Sequence, residues 1–154
     1  MADNPQVKGG VIAYLTVDGA AKAAEFYQRA FAAEVAAVHP PDEKGRTMHA
    51  HVYINGSSLM MSDAYPEHGH QLKEPAAFNL MLPVQDVDFW YERAIKAGCT
   101  AVMAPADMFW GDRYGKLVDP FGHHWGIATH VEDVTPEQMK ERMAAMFSKE
   151  PCEA

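Results

Sequence analysis

The sequence predicts an α+β chain of two tandem βαβββ modules with curved mixed sheets, followed by a C-terminal helix. Three observations carry that expectation. An apolar alternation over 11–17 leads into an amphipathic stretch over 20–31, and the same succession restarts at 78–84 and 87–95. Val17 matches Val84, Tyr27-Gln28-Arg29-Ala30-Phe31 matches Tyr91-Glu92-Arg93-Ala94-Ile95, and Leu59-Met60-Met61-Ser62 matches Trp125-Gly126-Ile127-Ala128. Between the halves, residues 64–77 hold Pro66, Gly69 and Pro75 with no periodicity, the composition of a connector. The modules are therefore set at 10–63 and 78–131, with 132–148 as the C-terminal helical segment.

In the first strand, Val11, Ala13, Leu15 and Val17 fall on one face and Ile12, Tyr14 and Thr16 on the other. Ala23, Phe26, Tyr27, Ala30 and Phe31 recur at helical spacing and form the buried stripe of a helix over 20–31. A strand over 35–39 stops at Pro40-Pro41, and 42–46 is a polar loop. Residues 47–54 alternate, and Asn55-Gly56 turns the chain into a strand over 57–63. In the second half, Phe78, Leu80, Leu82 and Val84 share a face. Asp86 is the N-cap of a helix bearing Val87, Trp90, Tyr91, Ala94 and Ile95, placed about one turn later relative to its strand, and Gly98 fits its end. A strand over 99–103 follows, then a hairpin of 113–119 and 123–130 closed by Asp119-Pro120-Phe121-Gly122. Thr135-Pro136-Glu137-Gln138 starts the last helix as N-cap, N1 proline and capping-box partner. Its stripe is Met139, Met143, Met146 and Phe147.

Each module then has one sheet face covered by its helix and one open. The open faces, with Ile12, Tyr14, Thr16, Asn79 and Met81, line a cleft of the kind that holds small molecules. The formal charge of −8, from 13 basic and 21 acidic residues, argues against a nucleic-acid or anionic membrane partner. No apolar run reaches the ~20 residues of a membrane span. Cys99 and Cys152 form no CxxC pair, so a zinc ribbon or disulfide framework is not expected. A reduced, cytoplasmic protein is the expectation. No GxSxG, GxGxxG or P-loop pattern occurs.

Chemistry-bearing residues gather at a few places. His49, His51 and Tyr53 alternate along one strand and share a face, either as a pocket wall or as a solvated edge. Two such imidazoles with His124, Asp63 or Glu67 would make a metal site; alone they suit acid–base work. Asp63 is either a cap or a proton acceptor. His124 faces the cleft beside Gly126, where the missing side chain leaves room for a ligand or for close strand packing. Arg113 either clamps an anionic group or pairs with Asp112 or Asp119. Trp110 is either an aromatic lid or a core residue.

The segments AEFYQRAFAAEV, LMMSDAYPE and FWGDRYGKLVDPFGHHWGIATHVEDVTPEQM, with the strand–helix opening of each half, cover nearly all of residues 10 to 143. In them the chain resembles the vicinal oxygen chelate superfamily, which holds glyoxalase I, bleomycin-resistance proteins and extradiol dioxygenases, and within it the PhnB-like branch. The resemblance implies paired βαβββ modules and a homodimer with pockets formed by sheets. It also implies a divalent metal held by one residue on the first and last strand of each module. Strand register puts those positions at Ile12, Met60, Asn79 and Gly126. Ile and Gly cannot ligate, Met suits copper, and Asn offers a neutral oxygen, so no metal is expected there.

Three functions follow as alternatives. One is a metal-independent binder of a small, partly apolar molecule, with Tyr14, Tyr53, Met60, Asn79, Met81, Trp110, Arg113 and Gly126 as contacts. Another is a lyase, isomerase or dioxygenase-like enzyme using a relocated metal or the acid–base groups His49, His51, Asp63 and His124. The third is a partner-binding dimer that uses the Met-rich helix.

Overall fold

A computed structural model describes residues 4–148; Cys152 lies outside the described residues. The element order is β1 (Tyr14–Val17), α1 (Ala20–Phe31), β2 (Glu34–Val38), β3 (Ala50–Ile54), β4 (Ser57–Asp63), β5 (Leu80–Pro83), α2 (Val87–Ala97), β6 (Thr100–Asp107), β7 (Asp112–Val118), β8 (His124–His130) and α3 (Pro136–Phe147). The strands form two four-stranded sheets, ordered β1-β4-β3-β2 and β5-β8-β7-β6. In each, the first strand runs parallel to the last and the other pairs are antiparallel. This is the tandem βαβββ plan with mixed sheets and a C-terminal helix.

Local chemistry accounts for most boundaries. The β3–β4 hairpin turns on Asn55 and Gly56 at φ 50° and 83°, the two left-handed residues a type I′ turn requires. Asp86 caps α2 by accepting from the Phe89 N–H, and Thr135 with Gln138 closes a capping box on α3. The predicted apolar stripe of α1 is buried in full, and Leu15, Val17, Val52, Leu59 and Met61 meet it from the sheet.

The structure corrects several expectations. β1 begins only at Tyr14, because Val11 is 99% exposed and has nothing to pack against. Phe78 likewise precedes β5 and stands 48% exposed. β6 runs past the expected end at Met103 to Asp107, and Cys99 precedes it. Each helix starts three residues beyond its matched valine, so α2 is not offset by a turn, and Tyr27 and Tyr91 are not equivalent. Two further side chains on the last strands hold the helix starts. Asp63 at the end of β4 accepts from Gly19 N (2.6 Å), Ala20 N (3.2 Å) and Thr47 N (2.8 Å). At the matched place in the second module, Thr129 Oγ1 accepts from Val87 N at 2.8 Å.

The modules share one core. α1 lies against α2, and Arg93 Nε donates to the Ala30 carbonyl at 3.2 Å. Aromatic rings from α1 reach across to β8 and its turn, with Phe31 and Trp125 centroids 4.5 Å apart and Phe26 and Phe121 5.9 Å apart. At the centre of this contact the buried Asp119 carboxylate accepts from Tyr27 Oη at 2.6 Å and Trp125 Nε1 at 2.8 Å. Its other oxygen accepts from the turn amides of Phe121 (2.9 Å) and His123 (3.0 Å). Burial and the neighbouring carboxylate push the Tyr27 phenol well above its ordinary range, so it stays a donor. Cys99 is also buried, and its thiol is pushed up to about 12, which makes it an unreactive core residue.

Asp119→Asn keeps the shape but turns an amide N–H toward a donor; a loss of about 2–4 kcal/mol in urea unfolding is expected. Tyr27→Phe removes a single bond to the charge and is expected to cost less, about 1.5–3 kcal/mol.

Candidate functional site

Cross-strand register decides which side chains share the helix-free face of the first sheet. Tyr14 pairs with Met60, Met60 with His51, and His51 with Ala37, so these four form one row across β1, β4, β3 and β2. The neighbouring row holds Thr16 and Ser62, with His49 and His39 linked beyond the strand ends by a His39 N to His49 carbonyl bond of 2.9 Å. The opposite side chains of the same strands, Ala50, Val52, Leu59 and Met61, are the ones buried under α1.

A hollow of about 620 Å3 lies on this face. Ala37, Met48, Met60, His39, His49 and His51 line it, together with Asn4, Pro5 and Val7 from the N-terminal segment. Its size and its mixture of apolar walls with a few polar groups match those of small-molecule sites. Tyr14 Oη lies 3.0 Å from His49 Nδ1, and His51 Nε2 lies 2.8 Å from Ser58 Oγ. The His39 and His49 rings stand 5.0 Å apart, and Tyr53 meets His51 edge-on at 4.9 Å. Burial is the largest cause that lowers the proton affinity of His49, with His39 and His51 adding to it; burial and Lys8 do the same for His51. Both imidazoles are therefore neutral near pH 7. Each offers one donor and one acceptor nitrogen.

Asp63 lies outside this hollow. It is 4% exposed, and both its oxygens are spent on the amides of Gly19, Ala20 and Thr47. Glu67 is bonded to Arg46 at 2.7 Å, which holds its carboxyl down at about 2. His70 reaches Thr16 Oγ1 at 3.1 Å from the connector.

On the helix-free face of the second sheet, the space over Gly126 is filled from within. Met81 pairs with Gly126, and Gly126 with Lys116. A Cβ built on Gly126 would stand 2.6 Å from Met81 Sδ and 2.7 Å from the Tyr114 ring, so the room expected beside Gly126 is already taken. Trp110 packs edge-on against Tyr114 at 5.9 Å and donates Nε1 to Asp112 at 3.0 Å. Arg113 does not bond to Asp112 or Asp119. It forks onto Asp88 of α2 at 2.8 and 3.0 Å and reaches Asp107 at 3.3 Å. His124 and Asn79 line a separate shallow hollow of about 330 Å3 with Pro75 and Phe78. The buried His123 ring makes no side-chain hydrogen bond, and burial lowers its proton affinity.

The structure thus brings Tyr14, Met60, His49, His51 and Tyr53 to one face of the first sheet and leaves Asn79, Met81, Trp110, Gly126 and His124 on the second module. Ile12 falls before β1; the row partner of Met60 is Tyr14, and that of Gly126 is Met81. A quartet of Ile12, Met60, Asn79 and Gly126 offers one neutral oxygen and one thioether, with Met81 and the Tyr114 phenol packed over the glycine, and does not fit a hard divalent ion. Among the described residues, no three His, Cys, Asp or Glu side chains converge as a metal-binding group, and no helix is long and apolar enough to cross a membrane.

His39 and the N-terminal segment were not foreseen. Extending the β2–β3 pairing past the 42–46 loop brings His39 beside His49, but the polar N-terminus carries no local signal for its position.

Comparison with known proteins agrees with this architecture. The family model described as Glyoxalase/Bleomycin resistance protein/Dioxygenase superfamily matches residues 10–127. An uncharacterized protein of Mycobacterium tuberculosis is 40% identical over 139 residues, 86% of this chain and 81% of that protein. A glyoxalase-related enzyme from Fulvimarina pelagi aligns with a TM-score of 0.64 at 21% identity, over 80% of this chain and 88% of that one. A PhnB protein from Bacillus cereus, described as a putative 3-demethylubiquinone-9 3-methyltransferase, aligns with a TM-score of 0.61 at 21% identity, over 79% of this chain and 99% of that one. With the duplicated βαβββ plan in place and the family model spanning both modules, the chain belongs to the glyoxalase/bleomycin resistance/dioxygenase superfamily.

Proposed function

We propose that this protein binds a small, partly apolar molecule in the hollow on the helix-free face of the first module, without a metal at the family's usual position. The observation that carries the reading is the hollow itself: about 620 Å3, walled by Met48, Met60, Ala37 and Val7, with His39, His49 and His51 as its polar groups. Thioether and alkyl walls adapt to varied apolar shapes, and neutral imidazoles orient a ligand through donor and acceptor without a fixed charge. A second reading rests on the 3.0 Å contact between Tyr14 Oη and His49 Nδ1. A phenol held by a neutral imidazole can pass a proton to or from a bound molecule, the chemistry of a lyase or isomerase. The proposal extends to a homodimer, as the family resemblance implies. α3 supports it: the helix buries no residue, and Met143, Met146 and Phe147 stand 39%, 45% and 74% exposed.

Titration with a panel of small aromatic and amphipathic solutes, read by ligand-observed NMR, is expected to give saturable binding that Met60→Lys weakens about tenfold or more by placing a charge in the wall. Binding indifferent to Met60→Lys, or absent across the panel, overturns the reading, as does a stoichiometric metal required for binding. Tyr14→Phe separates the two readings. A pure binder loses one hydrogen bond and no more than about tenfold in affinity. An enzyme loses about 10²–10⁴-fold in kcat.

The imidazoles also predict a pH dependence. His51 has its folded-state proton affinity lowered by burial, below the ordinary value of about 6.5. The unfolded chain then takes the proton first as the solution is acidified. The contribution is full above about pH 6.5 and is lost as pH falls toward the folded value. His130, held protonated by Asp112 and Asp133, contributes in the opposite sense and loses its contribution as pH rises. Urea midpoints measured from pH 7.5 to 5.5 are expected to fall less steeply in His51→Gln than in the unsubstituted protein.

Sedimentation of the unsubstituted chain is expected to show a dimer, and Met143→Glu with Met146→Glu a shift toward monomer.

A further inference from the structure

Residues 4–8 run over the helix-free face of the first sheet and are tied to it at two side chains. Tyr53 Oη donates to the Gln6 carbonyl at 2.6 Å. Ser58 is bonded twice to Lys8, its Oγ accepting from Lys8 N at 2.8 Å and its own N–H donating to the Lys8 carbonyl at 2.8 Å. Lys8 Nζ sits 3.9 Å from the centre of the Tyr53 ring. Through Asn4, Pro5 and Val7 the same segment supplies one wall of the histidine hollow. The Ser58 hydroxyl that receives the Lys8 amide is also the partner of His51 Nε2, so the tether and the imidazole meet at one oxygen.

The segment covers more than it buries of itself. Val7 is 51% exposed and only Pro5 is part-buried, whereas His51, on an otherwise helix-free face, is 2% exposed. A stretch held by a few hydrogen bonds at its rim, with little apolar area of its own, opens at low cost compared with the core. A pivot follows it directly. Gly9 holds φ at 118°, Gly10 has nothing within 4 Å of where a Cβ would stand, and Val11 beyond is 99% exposed. The chain is fixed again at Ala13, whose carbonyl accepts from Met60 N at 3.1 Å just before β1 begins.

We propose that residues 4–8 form a hinged strap that governs access to the histidine hollow, seated on Tyr53 and Ser58 when closed and swinging about Gly9-Gly10 when a ligand enters. The proposal rests on the reading of the hollow as a binding site and adds how entry to it is controlled. When the strap leaves, His51 gains access to solvent and ligand, and Tyr53 and Ser58 become free to bond to what enters.

The test needs no ligand. Diethyl pyrocarbonate acylates neutral imidazoles that solvent can reach, and peptide mass spectrometry assigns the rate to each histidine. Lys8→Pro in the full-length chain deletes the amide that bonds to Ser58 and leaves every residue of the sheet unchanged. Removing one net hydrogen bond is expected to raise the open fraction, and with it the His51 acylation rate, about fivefold. Exposed His68 on the connector and buried His123 in the second module should keep their rates. A variant lacking residues 1–8 should carry His51 to the rate of the open form and go no further on adding Lys8-independent changes such as Tyr53→Phe. An unchanged His51 rate in both variants overturns the strap, and so does a parallel rise at His123, which would mean general loosening. Because no small molecule takes part, failure of the ligand titration leaves this outcome standing, and failure here leaves the titration standing.

Discussion

The architecture depends on a buried carboxylate that four donors surround. Asp119 ends β7, and one of its oxygens organises the turn into β8 while the other receives Tyr27 of α1 and Trp125 of β8. A charge in this setting is tolerable only when every lone pair is used, and the donors come from both modules. The bond to Tyr27 therefore does more than close a turn. It fixes the rotation of α1 over the second module, and with it the tilted contact of Phe31 with Trp125. Two modules that could each bury one helix separately are thereby committed to one aromatic core, and the helix-free faces of both sheets are left to other uses.

Those two faces have diverged. On the second sheet, Met81 and Tyr114 fill the space over Gly126, with Trp110 packed on Tyr114. On the first, the equivalent surface carries His49, His51 and Tyr14 around Met60 and remains hollow. On the same frame, the position beside Gly126 is filled while the one beside Met60 borders a hollow. The strand ends show the same conservation of role with change of residue: Asp63 and Thr129 occupy matched places and each receives the first amides of its module's helix. A carboxylate suits a place where two amides of a helix start and the Thr47 amide all point at it; a hydroxyl suffices where only the Val87 amide does and Asp86 caps the helix.

How much of this the sequence discloses depends on the range of the interaction. α1 is legible over its full length because a stripe of Ala23, Phe26, Tyr27, Ala30 and Phe31 has one periodicity and one burial pattern. The capping box on α3 and the Asn55-Gly56 turn are equally local. Strand ends are less so: nothing near Val11 signals that its face lacks a partner. At the site, alternation places His49, His51 and Tyr53 together, but the pairing that adds Tyr14, Met60 and His39 depends on register between distant segments. Arg113 shows the limit most plainly. Acidic neighbours in sequence suggest Asp112 or Asp119, while the helix packing supplies Asp88. The strap over the hollow is invisible for the same reason, since a short polar N-terminus contains no pattern that names the surface it lies on.

A family that works through a hard metal ion needs oxygen and imidazole donors converging from both modules. Here the matched row in the first sheet has Tyr14 and Met60, and that in the second has Met81 and Gly126. Replacing a charged donor set by thioether and glycine changes more than occupancy. Such a row carries no fixed charge to organise a polar substrate, and Met81 and Tyr114 fill the space over Gly126. The first face cannot close in that way, because His49 and His51 bring polar nitrogens that must be bonded or solvated. Tyr14 and Ser58 satisfy one nitrogen on each ring. Both rings also line the hollow, where a neutral imidazole has a second nitrogen to bond with. Polar nitrogens and apolar walls thus meet around one hollow, in a chain whose matched strand positions make the usual metal site a poor fit.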